Sequence, residues 1–506
     1  CLTTQAAEKV YRSLSDETRI SARLSGQGAA RLREQARERL RSVAAWAPEA
    51  ERHEAWALEH RADELERQAA LDDLEAERQI GAALALDPGS PEAHAALAAH
   101  HRAAHAGAVA TGRLDLAARS LAEVEAHTAP LPVHHPKRAE LAAWVRGDAW
   151  LSLTTDPAGA EVVAEAQVPR DRRLVPGEVR PLGRTPLVDV AVPFGSWILR
   201  ISSPGRPEVT LPVWLDRGAT WDHRPPGGDS PAPVRLPREV PPGAVYVPAG
   251  WWIGGGSVDR PRRRLWGDGL FVQRFPVTMD AVAQWLNELL DAGRVDEALR
   301  HAPRAPLGRH GDDGPLVLAR DPRGRFVTGQ PDPDGDPIWG DYPAFAVDWA
   351  GAVAYAEWWR QRTGAQWRLP TELEWEKAAR GVDGRIRAWG DPPDPSRCNC
   401  RDSHPDGPRP ARVDSFPLDV SPYGVRGVTG NVRDWTSSPV TVGWGELGDR
   451  VPEGPVAPVR PSSGHVVGRG GAWPTSAGSV DLVTPYDDRV DFRHPAVAFR
   501  LVCSAG

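Results

Sequence analysis

Trp367-Arg368-Leu369-Pro370-Thr371-Glu372-Leu373-Glu374-Trp375-Glu376-Lys377-Ala378-Ala379-Arg380-Gly381 is the run on which the reading of this 506-residue chain turns. Leu369-Pro370 fixes an extended entry, because the proline ring locks its own φ and keeps its neighbour out of the helical region. Thr371 and Glu374 have the Thr-x-x-Glu spacing of a capping box, which opens a helix by satisfying two orphan backbone donors. On the short helix that follows, Trp375, Ala378 and Ala379 share the face predicted to turn inward.

Similar Trp- and Gly-rich runs lie on both sides. Downstream come Ala388-Trp389-Gly390, Gly430-Asn431-Val432-Arg433-Asp434-Trp435-Thr436, Arg469-Gly470-Gly471-Ala472-Trp473 and Ala498-Phe499-Arg500. Upstream come Tyr246-Val247-Pro248-Ala249-Gly250, then Phe275-Pro276-Val277-Thr278, whose threonine is predicted to cap a helix over Asp280–Leu290. Pro343-Ala344-Phe345-Ala346-Val347-Asp348-Trp349 precedes a helical stretch, Ala352–Trp359. Trp435 and Trp473 are predicted to fill the core, aromatic bulk replacing regular layers. In this order the runs resemble the formylglycine-generating-enzyme, or sulfatase-modifying-factor, family from Gly243 to Gly506. The resemblance implies a C-type-lectin-like fold, mixed α/β and loop-rich.

Family enzymes carry two cysteines after the Arg-Gly-Gly-Ser-Trp motif. These bind copper, and one engages the substrate cysteine as it is oxidised to formylglycine; thiolates suit both tasks. Here the corresponding places fall near Thr475 and Val480, and neither is sulfur. The resemblance thus implies no catalytic residue and neither copper nor iron, other members being iron-dependent oxygenases with histidine ligands. His404 and His494 are isolated and read as surface residues. The family's calcium sites transfer better, as oxygen donors suit that hard cation. Asn399, the Cys400 carbonyl, Asp414 and the Phe416 carbonyl match one site. Gly430, Asn431, Val432 and Asp434 match a second, with aspartate replacing the usual glutamate.

The rest of the chain divides by composition. Residues 1–147 are rich in Ala, Leu, Glu and Arg, with helical periodicity over Ala29–Val43 and His53–Leu86. Pro48 interrupts the first run and Asp87-Pro88-Gly89 the second. Around the latter the chain resembles a tetratricopeptide-repeat junction, with Ser90 as cap and Pro91 in the first helical position. Gly112-Arg113-Leu114-Asp115-Leu116-Ala117 looks like the turn inside the same unit. His94, His101 and His105 fall near one helical face, a geometry that could hold a metal. No carboxylate or cysteine completes the set at matching spacing, so solvent-facing histidines are expected.

Residues 148–222 switch to period two and read as a small β-sandwich. Their motif order resembles the surface-layer-type PEGA module, with Pro157-Ala158-Gly159-Ala160 in the place of its name tetrapeptide. Residues 223–242 are Pro/Gly-rich and read as an extended linker. The fold class expected is therefore multidomain α+β: α-helical residues 1–147, sandwich 148–222, linker 223–242 and the loop-rich mixed α/β domain 243–506.

Composition narrows function further. The net charge is −7, from 61 basic and 68 acidic residues, which disfavours nucleic-acid binding driven by bulk charge. The cluster Arg260-Pro261-Arg262-Arg263-Arg264 reads as a solvated turn. The sequence has no apolar run long enough to span a membrane. Four cysteines, Cys1, Cys398, Cys400 and Cys503, are too few for a disulfide scaffold. Opening on Cys1 leaves two readings, a lipid-anchored terminus at the cell envelope or a piece of a longer chain, cytoplasmic by expectation. The order of modules resembles tails attached to bacterial serine/threonine kinases, though Val-Ala-Ile-Lys, His-Arg-Asp and Asp-Phe-Gly are all missing here. The favoured reading is a non-catalytic sensory or regulatory module, its partner a protein or peptide ligand with a possible kinase domain upstream. Trp473, Thr475, Tyr486, Asp488, Arg489 and Arg493 would form the ligand-facing set, within Pro474–Pro495. An oxidative protein-modifying enzyme is the alternative.

Overall fold

The computed structural model describes residues 4–41, 49–110, 113–257, 260–307, 312–330, 338–440 and 447–505. The expectations placed on Cys1, Pro48 and Gly112 lie outside them. The chain divides into two units, residues 1–148 and 149–506.

The first unit is helical. Helices α1 (Thr4–Arg41) and α2 (His53–Leu86) pair as a long hairpin. Thr18 meets Gln79, Ser21 meets Asp72, and Arg33 meets Asp63 and Glu66, so one number rises as the other falls. α1 alone has 38 residues, in keeping with the coiled or bundled character of this end. α3 (Pro91–Ala110) and α4 (Leu114–Thr128) are shorter, and α5 (Arg138–Arg146) follows. The Ser90 hydroxyl accepts from the Ala93 N–H at 3.3 Å and caps α3. Ala95, Ala98, Val124, Leu131, Leu141 and Trp144 form the core under α3, α4 and α5.

The second unit begins as a β-sandwich. Glu161–Arg170 and Arg173–Arg184 form a long hairpin, extended on the other side by Gly195–Ser202 and Val209–Leu215. Asp148–Leu153, between Leu187–Pro193 and Thr220–Trp221, makes the facing sheet. Leu151, Leu153, Val162, Leu199, Ile201 and Val213 fill the space between them. The Pro/Gly-rich stretch is no free tether. Val234 and Leu236 are each 1% exposed, and Val234–Arg235 pairs with Thr155–Asp156, so apolar anchors between the prolines bind it to the sandwich. The arginine cluster is no solvated turn either. Arg260 is buried against Glu372, and Arg263–Gly267 is a strand paired with Gly250–Gly254.

In the remainder, a three-stranded sheet joins Ala244–Val247, Leu270–Gln273 and Val502–Ser504. A four-stranded sheet has the order Pro485–Arg489, His465–Arg469, Arg433–Pro439, Val497–Ala498. The helices are α6 (Met279–Asp291, capped by Thr278), α7 (Val295–His301), α8 (Trp349–Thr363, capped by Asp348) and α9 (Glu372–Arg380). α9 opens with the full capping box of Thr371 and Glu374. It is not amphipathic in the expected way, because every residue of it is buried. Its charges are paired inside: Glu374 receives Arg368 through two bonds of 2.7 Å, and Glu376 lies between Arg380 at 2.5 Å and Arg469 at 2.6 Å. Trp435 is fully buried, and its ring N–H donates to the Val347 carbonyl at 3.0 Å.

Asp383, just after α9, ties this region to the sandwich. It accepts from Ser196 at 2.7 Å and from Arg385 at 2.6 and 2.9 Å. Burial works to raise its carboxyl, but the Arg385 charge and these hydrogen bonds outweigh it and hold the group below its ordinary value. The unfolded chain then binds more protons than the folded one in the acid range. Asp383's contribution is complete above pH about 4 and is lost as pH falls through the lower folded-state value. Acid titration of stability should therefore show a smaller loss between neutral pH and pH about 3 in Asp383→Asn than in the parent. The capping box gives a second expectation, read from the denaturant transition of residues 149–506. Thr371→Ala should cost about 1 kcal/mol, and Glu374→Ala about 3–5 kcal/mol because Arg368 is left buried and uncompensated.

Candidate functional site

The loops after the strand His465–Arg469 occupy the place where the family resemblance puts its chemistry. Arg469 anchors them: fully buried, it donates to the Leu482 and Val483 carbonyls at 2.9 Å each, besides its pair with Glu376. Gly471 then passes so close to the Thr429 carbonyl that a Cβ would come within 2.3 Å of its oxygen. The Trp473 N–H donates to the Asn431 carbonyl at 2.9 Å and its ring N–H to Pro495 at 3.0 Å. Trp473 is half-buried, so it fills the core less completely than Trp435. Thr475 sits half-buried on a turn, its carbonyl accepting from the Arg401 N–H. Val480 is 1% exposed and packs in an apolar cluster with Trp375, Ala388, Leu482, Cys398 and Cys400.

The sulfur nearest in character is thus the Cys398–Cys400 pair. Both are fully buried, and the Cys400 Sγ lies 3.2 Å from the Ser403 hydroxyl. A hydrogen bond between the two free thiols, together with burial, pushes Cys398 up; the same hydrogen bond, with that of Ser403, draws Cys400 down to about 6. Cys503 stands apart on the strand Val502–Ser504, its thiol raised by burial.

The two predicted calcium sets fare differently. In the second, the Asp434 carboxylate is fully buried and already engaged, accepting from Arg500 at 2.5 Å and the Trp375 ring N–H at 2.7 Å. Burial pushes this carboxyl up against the Arg500 charge. Asn431, at φ 72°, exchanges side-chain hydrogen bonds with the Ala411 backbone at 2.8 and 3.0 Å. The Gly430 and Val432 backbones close a local turn. These residues are tied into a structural knot, in which the buried Asp434 Oδ1 accepts no hydrogen bond. In the first set, Asp414 is exposed, the Cys400 carbonyl accepts from Ser403, and the Phe416 carbonyl accepts from Asp419. The Asn399 amide donates to Arg409 and Asn431 at 2.9 Å each, while its oxygen meets His404 Nε2 at 3.0 Å. His404 and His494 are half-buried rather than free at the surface, the second stacked on Phe492 at 5.1 Å.

The predicted ligand-facing stretch is divided by its own strand geometry. Side chains alternate across Pro485–Arg489, the outer strand of its sheet. Asp487 and Arg489 are exposed and Asp488 is buried. Asp488 lies 3.4 Å from Arg433, whose guanidinium sits 3.7 Å over the Tyr486 ring. Arg493 is also buried, donating to the Arg300 and Ala302 carbonyls and pairing with Asp348 at 2.7 Å. Asp488 and Arg493 therefore leave the ligand-facing set, and Arg489 stays exposed beside Asp491.

Two features carried no local sequence signal. Asp419 is buried and caps the Thr429-Gly430 turn, accepting from both N–H groups at 2.9–3.1 Å; burial pushes its carboxyl up to about 6. A cavity of about 370 Å³, lined by Trp252, Asp268, Leu373, Lys377, Arg450 and Glu453 among others, contains none of the predicted residues. Lys377 in its wall donates to the Pro248 and Gly267 carbonyls, and burial pushes its ammonium down to about 7. The cavity assembles from segments far apart in the chain.

Residues 230–505, more than half of the chain, match the Sulfatase-modifying factor enzyme 1-like domain. The chain belongs to the sulfatase-modifying factor family. It is 33% identical over 223 residues to the hercynine oxygenase of Mycolicibacterium smegmatis, covering 41% of this chain and 46% of that protein, less than half its length. It is 30% identical over 249 residues to the formylglycine-generating enzyme of Thermomonospora curvata, covering 43% of this chain and 78% of that one. To the serine/threonine-protein kinase pkn1 of Chlamydia pneumoniae it is 33% identical over 164 residues, 31% of this chain and 23% of the kinase. Among the described residues no helix is long and apolar enough to cross a membrane.

The two roles open to Asp434 separate cleanly in solution. As the partner of Arg500, its replacement in Asp434→Ala should cost about 3–5 kcal/mol in calcium-free buffer, measured by denaturant melting. A calcium ligand would instead give a loss that appears only when calcium is added.

Proposed function

We propose that this chain is a non-catalytic recognition module of a bacterial signalling protein, with a protein or peptide as its ligand. The observation that carries this reading is that Thr475 and Val480 stand where the family's two cysteines are expected, one on a turn and the other in the core. Around them, glycines, carbonyls and buried arginines are engaged in holding the loops. The recognition surface is the loop of Trp473 and Thr475 together with the outward side of Pro485–Arg489, where Asp487 bonds His465 at 2.5 Å and Arg489 bonds Asp491. Such exposed, mutually paired charges suit a polar partner and give register more than affinity. The similarity to pkn1 supports a kinase-linked role, with a catalytic domain elsewhere in the same protein. The sandwich of residues 148–222 would then be a PEGA-like spacer. Calcium remains a proposal for the first loop alone, through Asp414 and the Phe416 carbonyl, which are oxygen donors of the right hardness.

A second reading has one observation in its favour. The buried Cys398–Cys400 pair packs in the same cluster as Val480, close to where the family's oxidative chemistry takes place. On that reading the chain is an oxidative protein-modifying enzyme. Incubating the purified chain with copper, oxygen and a Cys-x-Pro-x-Arg peptide decides between the two. We expect the peptide to be recovered unchanged by mass spectrometry; its conversion to the formylglycine form would reverse the ranking.

A further inference from the structure

The strongest unassigned chemistry lies in the helical unit. His94, His101 and His105, expected to face solvent, are each half-buried between helices, and they do not converge: His105 turns to the Ala117 carbonyl at 2.8 Å and packs edge-on to Trp144. The partners come from α4 instead. One ligand atom each from His101, Glu123 and His127 lies within 4.8 Å of the others, all three side chains half-buried. Glu123 and His127 are four apart and share a face of α4, with His101 opposite on α3.

A fourth residue orients the set. His94 Nε2 lies 3.1 Å from the Pro88 carbonyl, which can only accept, so this nitrogen carries the proton. The neutral ring then offers a lone pair at Nδ1, 3.0 Å from His127 Nδ1. His127 must donate there, which leaves its Nε2 as the lone-pair nitrogen. A ligating imidazole held by a hydrogen bond from its other nitrogen is the usual arrangement at a metal centre.

We propose that His101, Glu123 and His127 form a zinc-class metal site that clamps α3 to α4, with His94 as the positioning residue. Two imidazoles and one carboxylate, with a fourth position for water, suit a borderline ion such as zinc. Zinc–nitrogen bonds of about 2.0–2.1 Å require the three atoms to close in slightly from their present spacing. The His101 and His127 rings stack 5.9 Å apart and 5° from parallel, so a shared ion requires one of them to tilt. The site lies outside residues 230–505 and owes nothing to the family match.

The full chain, stripped with a chelator, is titrated with zinc and, separately, with cobalt as a spectroscopic probe. We expect one equivalent of zinc per chain and a cobalt spectrum of nitrogen and oxygen ligands without thiolate charge transfer. His101→Ala and His127→Ala should each lose at least tenfold in affinity, with Glu123→Gln weakened as well and His105→Ala unchanged. His94→Phe should cost about 10–100-fold while retaining the same cobalt spectrum. Circular dichroism checks helix content, and Glu123→Gln, nearly isosteric, keeps the test valid if a histidine variant unfolds. The proposal is overturned by no saturable zinc binding, by binding unchanged in His101→Ala/His127→Ala, or by a cobalt spectrum dominated by thiolate.

Discussion

Helix α9 is a charged helix held wholly inside the protein, and the surrounding structure depends on how its charges are met. Burying an ion costs several kcal/mol unless a partner and further hydrogen bonds compensate it. Here the carboxylates of α9 meet guanidinium groups, and Lys377 donates to the Pro248 and Gly267 carbonyls. Glu374 takes Arg368, Glu376 takes Arg469 as well as Arg380, and Trp375 shares the Asp434 carboxylate with Arg500. Arg469 and Arg500 in turn donate to the carbonyls of Leu482, Val483, Arg426 and Gly427. Three sequence-distant segments are thereby fixed to one helix, in a region where regular sheet is sparse.

That arrangement holds the loops after Arg469 through hydrogen bonds and ion pairs. The loops are positioned by buried guanidinium groups and by the close pass of Gly471 over Thr429. Val480 contributes apolar packing beside Trp375 and Leu482. A surface held so firmly is well suited to recognition, since little ordering cost remains when a partner binds.

Much of this was legible in the sequence, and the misses have physical causes. The Thr371/Glu374 capping box and the Thr278 and Ser90 caps are local, and they form as their spacing indicates. The sandwich followed from period-two runs, although the strand Arg173–Arg184, with its internal prolines and glycines, gave no such signal. Long-range pairing was invisible. Asp434 read as a shortened calcium ligand because its partner Arg500 is distant in sequence, and Arg260 read as solvated because Glu372 is. Asp488 was misplaced because a polar residue on a sheet's inner side looks in sequence like one on its outer side, and Arg493 because its partners Arg300, Ala302 and Asp348 are distant in sequence. The histidines on α3 lacked a carboxylate only while α3 was read alone, since Glu123 and His127 arrive from the next helix.

The account stands or falls on sulfur at a copper ion. Copper(I) titration of the reduced chain against a chromophoric competitor, read together with X-ray absorption at the copper edge, tests this directly. The expected outcome is that the competitor keeps the metal and no two-sulfur copper environment appears. One equivalent of copper bound tightly between two sulfurs would contradict the account of a scaffold kept for recognition alone.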